Sequence, residues 1–149
     1  MVLIGIDPGA KTGLAVYRGG KLCELATIQP HQIPRALEQY KPVRVMFEDS
    51  RLQSKVWNTA PTLPAKLKIA RNVGEIDAWC SLITAVCGDL RIAAHGIKPL
   101  DKGRKLPAAT FAHITSWSAR SNQHERDAAM VAWPYRTLTL AKAERPYST

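Results

Sequence analysis

Leu3-Ile4-Gly5-Ile6-Asp7-Pro8-Gly9-Ala10-Lys11-Thr12-Gly13-Leu14-Ala15-Val16 is the stretch whose reading decides the fold. An apolar run climbs into a lone carboxylate, Asp7, and a Pro-Gly pair follows at once. A second apolar run leaves Gly13. Pro-Gly marks a tight reversal, so the stretch reads as two antiparallel strands joined by a short loop. The first strand is too hydrophobic to be anything but central. A carboxylate ending a central strand is expensive to desolvate unless a cation or a dense set of donors compensates it. That cost is the first pointer to a metal site.

Outward from this hairpin, strands are expected over 2–7, 12–18 and 21–28, with Gly19-Gly20 as the second turn. Pro34 opens a short helix that ends before Lys41-Pro42. Residues 43–48 form a strong fourth strand that again finishes in an acid, Glu48. A loop rich in Pro and Trp follows. The spacing then predicts a long helix over 64–87, with Gly88 as its stop signal. Residues 90–95 read as a fifth strand, 98–105 as a basic loop and 106–117 as a helix. The last helix begins near Asn122. This order implies an α/β fold, a five-stranded mixed sheet with three antiparallel strands and then two parallel ones, flanked by helices.

A chain of 149 residues is long enough to bury a core and too short for two domains. One domain is therefore expected over 1–149, with 134–149 as a polar, basic and partly mobile tail. Lys and Arg number 21 against 12 Asp and Glu, a net charge of +9. A field of that size on so small a domain suits a polyanionic partner. No window approaches the ~20 apolar residues of a membrane span, and Asp7 breaks the apolar start too early for a signal peptide. Cys23, Cys80 and Cys87 have no metal-type spacing. Cys80 and Cys87 lie about 10 Å apart along one helix, too far to bridge. Reduced, packed thiols are expected.

The residues that carry chemistry are acids from distant stretches. Alternation along the fourth strand puts Val43, Val45 and Phe47 on one face and Met46 with Glu48 on the other. Glu48 therefore projects beside Asp7 if the first and fourth strands are neighbours. Asp49 reads as a cap or a solvated loop residue. In His124-Glu125-Arg126-Asp127, the first and last side chains share one helical face. Asn122 and Glu125 form a capping box, which accounts for Glu125 but not for Asp127. Arg126 points off that face, to solvent or phosphate. Acids converging at strand ends are what a two-metal phosphodiester hydrolase requires, because hard divalent ions take oxygen ligands.

These residues resemble the RuvC-type Holliday junction resolvases of the RNase H-like nuclease superfamily. Gly5-Ile6-Asp7-Pro8-Gly9 with Thr12-Gly13 is similar to the family's first motif, and Phe47-Glu48 to its second. Lys66 to Gly74 resembles the start of the family's long helix. His124-x-x-Asp127-Ala128-Ala129 resembles its last motif. The resemblance covers most of the chain from about 3 to 133 in motif order, and the short length is similar to the compact bacteriophage members. It implies that Asp7, Glu48, His124 and Asp127 are catalytic and hold two Mg²⁺ or Mn²⁺ ions. It further implies a homodimer acting on four-way or branched DNA, in the cytoplasm of a bacterial or phage-infected cell. Ala70, Val73, Gly74, Asp77, Ala78 and Ser81 of the long helix are the expected dimer surface.

For DNA contacts, Arg51 and Lys55 are expected on phosphate and Trp57 as a stacking platform. Lys98, Lys102, Arg104 and Lys105 form a second basic loop. Two other readings compete. One is an RNase H-like or pre-ribosomal RNA processing ribonuclease, since the first motif opens those proteins too. The other is a nucleic-acid-binding module without turnover. A sugar-kinase or actin-like ATPase shares the Asp-Gly hairpin, but this chain is too short for two lobes.

Overall fold

The computed structural model describes residues 1–53 and 60–137. Its centre is a five-stranded sheet: β1 (Val2–Asp7), β2 (Thr12–Arg18), β3 (Lys21–Ile28), β4 (Arg44–Glu48) and β5 (Ala93–Ile97), in the spatial order β3-β2-β1-β4-β5. β1 pairs antiparallel with β2, and β2 with β3; β1 pairs parallel with β4, and β4 with β5. The expected mixed sheet is the observed one. Helices cover both faces: α1 (Ile33–Tyr40), α2 (Leu63–Asp89), α3 (Ala108–Thr115) and α4 (Gln123–Ala132).

The two-residue period of the strands sorts the core into two layers. Ile4, Ile6, Leu14, Val16, Val45 and Phe47 face one way, onto Ile33 and Leu37 of α1 and Cys80, Ile83 and Cys87 of α2. Leu3, Ala15, Tyr17 and Met46 face the other way, onto Phe111 of α3 and Ala128, Ala129 and Ala132 of α4. Asp7 continues the Leu3-Gly5 row, and Glu48 the Met46 row. Both acids therefore end on the α4 side.

Two element boundaries differ from expectation for the same reason. The fifth strand, expected over 90–95, is Ala93–Ile97, because α2 runs on through Asp89. Arg91, not Gly88, takes the left-handed conformation (φ 59°) that ends the helix, and the Ile92 N–H donates to the Cys87 carbonyl at 2.8 Å. Likewise the helix expected over 106–117 is Ala108–Thr115, closed by Ser116 at φ 60°. Left-handed caps on Arg and Ser have no glycine to announce them. Cys80 and Cys87 are buried as expected, whereas Cys23 is exposed on β3. At the expected start of the tail, Trp133–Tyr135 form a 3-10 turn and the Arg136 guanidinium stacks 3.5 Å from the Trp133 ring centroid. Positions 138–149 lie outside the described residues. No helix among the described residues is long and apolar enough to cross a membrane.

Candidate active site

The parallel register of β1 and β4 pairs Ile6 with Phe47, so the next residues, Asp7 and Glu48, stand side by side at the strand ends. The loop between β1 and β2 is closed by the buried Thr12 hydroxyl, which donates to the Gly9 carbonyl at 2.8 Å. This holds the Pro8-Gly9 turn beneath Asp7.

α4 reaches the same place because the sheet below it lacks side chains. A Cβ on Gly5 would collide with the Ala128 carbonyl, and one on Gly13 with the His124 carbonyl. The helix backbone therefore rests directly on the sheet, with Ala128, Ala129 and Ala132 completing the flat contact. The Tyr17 hydroxyl donates to the Ala129 carbonyl at 2.7 Å, and burial pushes that phenol well above its ordinary pKa. At the helix start, the Asn122 side chain accepts from the Glu125 N–H at 2.9 Å, and the Glu125 carboxylate accepts from the Asn122 N–H at 2.9 Å. The expected capping box is present, and the Asn122 amide also donates to the Thr27 hydroxyl of β3 at 2.7 Å. These bonds aim the first turn of α4, the positive end of its dipole, at Asp7.

Asp7, Glu48, His124 and Asp127 line one cavity of about 510 Å³. His124 Nδ1 lies 3.5 Å from Asp7 Oδ2, a facing pair too long for a good hydrogen bond. The Asp7 side chain is 15% exposed and Asp127 6%, so both are largely withdrawn from water. Among the described residues, no three His, Cys, Asp or Glu side chains close to the spacing of a ready metal cage. The four groups share a cavity; they are not a formed ligand cluster. Ser50, Gln53 and Gln123 add polar lining, Val73 and Ile76 of α2 an apolar wall, and Lys105 a cation. A second cavity of similar size, about 540 Å³, lies near the start of β4, and among the described residues Glu38 is the one acid that lines it. Size does not distinguish the two cavities; side-chain chemistry does.

Glu48 and its neighbour Asp49 have opposite fates. Asp49 is buried, packs over Gly96 of β5 and caps a 3-10 turn by accepting from the Arg51 N–H at 3.1 Å. The Arg51 guanidinium grips the same carboxylate through two bonds, at 2.8 and 2.9 Å, and reaches Thr84 of α2 at 3.1 Å. Arg51, expected on phosphate, thus has most of its donors turned inward. Ser50 donates to Asp77 of α2 at 2.6 Å and Arg51 to Ser81 at 3.4 Å, so several bonds tie the turn after Glu48 to α2. Lys98 and Arg104 are exposed, while Lys105, from the same basic loop, lines the cavity. Lys55 and Trp57 lie outside the described residues, as does the side chain of Lys102.

Arg126 corrects a sequence expectation. It is half-buried and turns its guanidinium onto protein acceptors, donating to the Leu106 carbonyl at 2.9 Å, the Ser121 carbonyl at 2.7 Å and the Gln123 side chain at 3.3 Å. Gln123 escaped the sequence reading altogether. Its only signal was its position four residues before Asp127, a spacing at which Gln and Asp bond on a helix.

No protein-family model and no curated protein sequence matches this chain. Solved structures do. The chain is similar to Thermus thermophilus RuvC in complex with a Holliday junction substrate, at 17% identity and a TM-score of 0.61, over 89% of this chain and 90% of that one. It is also similar to a Thermus thermophilus RuvC structure at 17% identity and a TM-score of 0.59, over 89% of this chain and 92% of that one. The fold is RuvC-like.

Proposed function

We propose that this protein is a divalent-metal-dependent endodeoxyribonuclease that resolves four-way junctions, and cuts other branched DNA, by paired phosphodiester hydrolysis. One observation carries the reading: Asp7, Glu48, His124 and Asp127, from three separate elements, line a single cavity on a RuvC-like fold. Three carboxylates and an imidazole are a donor set for hard divalent ions, and their mutual repulsion in a partly enclosed cavity is relieved by a cation. Asp7, Glu48, His124 and Asp127 would hold Mg²⁺ or Mn²⁺, two ions to a site, which would supply the Lewis acidity for activating water and stabilising the leaving oxygen.

The chain's own residues recruit and orient the substrate. The net charge of +9 draws a polyanion, and the α4 N-terminus turns backbone N–H groups toward the scissile phosphate. Lys105 at the cavity is a further phosphate contact, and Lys98, Lys102 and Arg104 extend it along the same loop. Lys55 and Trp57, in the segment after Glu48, contribute a cation and a stacking ring. Arg51 acts indirectly, by fixing the turn through Asp49.

Paired cutting calls for two sites related by two-fold symmetry. A second copy packs on the first half of α2, where Leu63 is 67% and Leu67 62% exposed and the small residues Ala70 and Gly74 continue the stripe. Val73 faces the cavity instead, and Asp77 and Ser81 hold the turn after Glu48.

The decisive assay sets wild type beside Asp7→Asn on a synthetic four-way junction with Mg²⁺, with linear duplex, RNA–DNA hybrid and structured RNA in parallel. Wild type should cut two opposed strands symmetrically and stop in chelator. The variant should lose about 100-fold or more, since even outer-shell partners of a bound metal are worth 10–100-fold. Unchanged, metal-dependent cutting by the variant sinks the site. Preference for the hybrid or the RNA makes the protein a ribonuclease. Junction binding with no cutting in any divalent ion makes it a binding module.

A further inference from the structure

We propose that Gln123 is a positioning residue for Asp127: its side-chain amide holds one carboxylate oxygen, so that Asp127 meets a divalent ion through the other. The inference rests on the metal-dependent reading above and deepens it. Gln123 Nε2 donates to Asp127 Oδ1 at 2.8 Å, and both side chains line the cavity. The orientation of that amide is set by chemistry. Arg126 Nη2 approaches Gln123 Oε1 at 3.3 Å, and a guanidinium carries only donors, so the carbonyl end must face Arg126 and the N–H end must face Asp127. Arg126 is itself anchored on the carbonyls of Leu106 and Ser121. The line from the segment before α3, through Arg126 and Gln123, to Asp127 is therefore braced at its far end.

The bracing matters because rotation of a carboxylate about its last bond is soft. Asp127 is 6% exposed and lines the cavity, so the bond to one oxygen decides how its carboxylate faces that space. A neutral amide makes that bond without adding a positive charge that competes with the cation. Lys or Arg at position 123 would neutralise Asp127 instead of aiming it. With Oδ1 held by Gln123, the carboxylate would turn Oδ2 toward an ion in the cavity.

The test is calorimetric titration of Mn²⁺ into DNA-free full-length protein, with thermal melting in chelator as the companion measurement. Gln123→Met keeps the length and removes the donor. It should weaken Mn²⁺ binding about 10-fold or more, the range for outer-shell partners, and leave the melting temperature in chelator unchanged. In an Asp127→Asn background the same substitution should have no further effect on Mn²⁺. Wild-type affinity in Gln123→Met overturns the inference, and a lower melting temperature beside that affinity assigns Gln123 to helix stability alone. Those results leave the nuclease reading intact as long as Asp127→Asn weakens binding. A wild-type protein that binds no Mn²⁺ removes both.

Discussion

α4 and the first half of α2 border the same cavity and are held in opposite ways. α4 has ten residues, of which Asp127, Ala128, Ala129, Val131 and Ala132 are buried. α2 has 27 residues and buries Cys80, Ile83 and Cys87, all in its second half. At 1.5 Å per residue it is about 40 Å long, and its first half leaves Leu63 and Leu67 in solvent. A helix that must deliver two side chains to a fixed point is locked on glycines and alanines, where no rotamer can adjust. A helix anchored at one end keeps a face for something else. The difference is built from residue size: close approach needs small residues on both partners, whereas an interface needs large ones left exposed.

The strongest way to break this comparison is Gly13→Ala. The added methyl meets the His124 carbonyl, which is backbone and cannot swing aside, so α4 must lift. A loss of roughly 3 kcal/mol is expected in denaturant unfolding, at the upper end for overpacking. Wild-type stability would show that α4 does not sit on the sheet. Asn122→Ala comes next, at about 1 kcal/mol for a lost cap; it also frees the amide bond to Thr27, so Mn²⁺ binding should weaken with stability. Leu63→Glu with Leu67→Glu should change monomer stability by less than about 0.5 kcal/mol, as exposed substitutions do. Sedimentation velocity should nonetheless move from dimer to monomer. A double variant that remains a dimer removes the stripe as the interface.

The smallest effect belongs to the anchored end of α2. Burial pushes the Cys87 thiol up to about 11 from its ordinary 9.0. Its folded pKa is raised, so this contribution to stability is whole below pH 9 and is lost as pH rises toward 11. A modest fall in melting temperature across that window, smaller in Cys87→Ala, is the expected signature, since burial also raises the Cys80 thiol and the Tyr17 phenol. At pH 8, alkylation followed by mass spectrometry should label exposed Cys23 and spare Cys80 and Cys87.

Much of the site was legible because it depends on short-range pattern. Asp7 and Glu48 each end an apolar strand, which is local pattern; that those two strands are parallel neighbours came from the sheet. The i, i+3 spacing of His124 and Asp127 and the capping box at Asn122 are local as well. Arg126 was not legible, because the Leu106 carbonyl it serves is chosen by how α4 packs on the segment before α3. The Gln123–Asp127 bond is local, but an i, i+4 spacing by itself does not single out one pair. Arg51 looked like a phosphate ligand because nothing in the sequence shows that Gly96, on the neighbouring strand, opens a berth for Asp49.

The sequence by itself determined the strands and their mixed parallel and antiparallel character, the central position of Asp7, the basic character of the chain and the helix faces, since these follow from periodicity, charge and turn chemistry along neighbouring residues. Only the tertiary structure decided which polar groups pair off and which remain to face the cavity. That choice depends on backbone distances between elements far apart in the chain. Here those distances are set by the missing side chains of Gly5, Gly13 and Gly96.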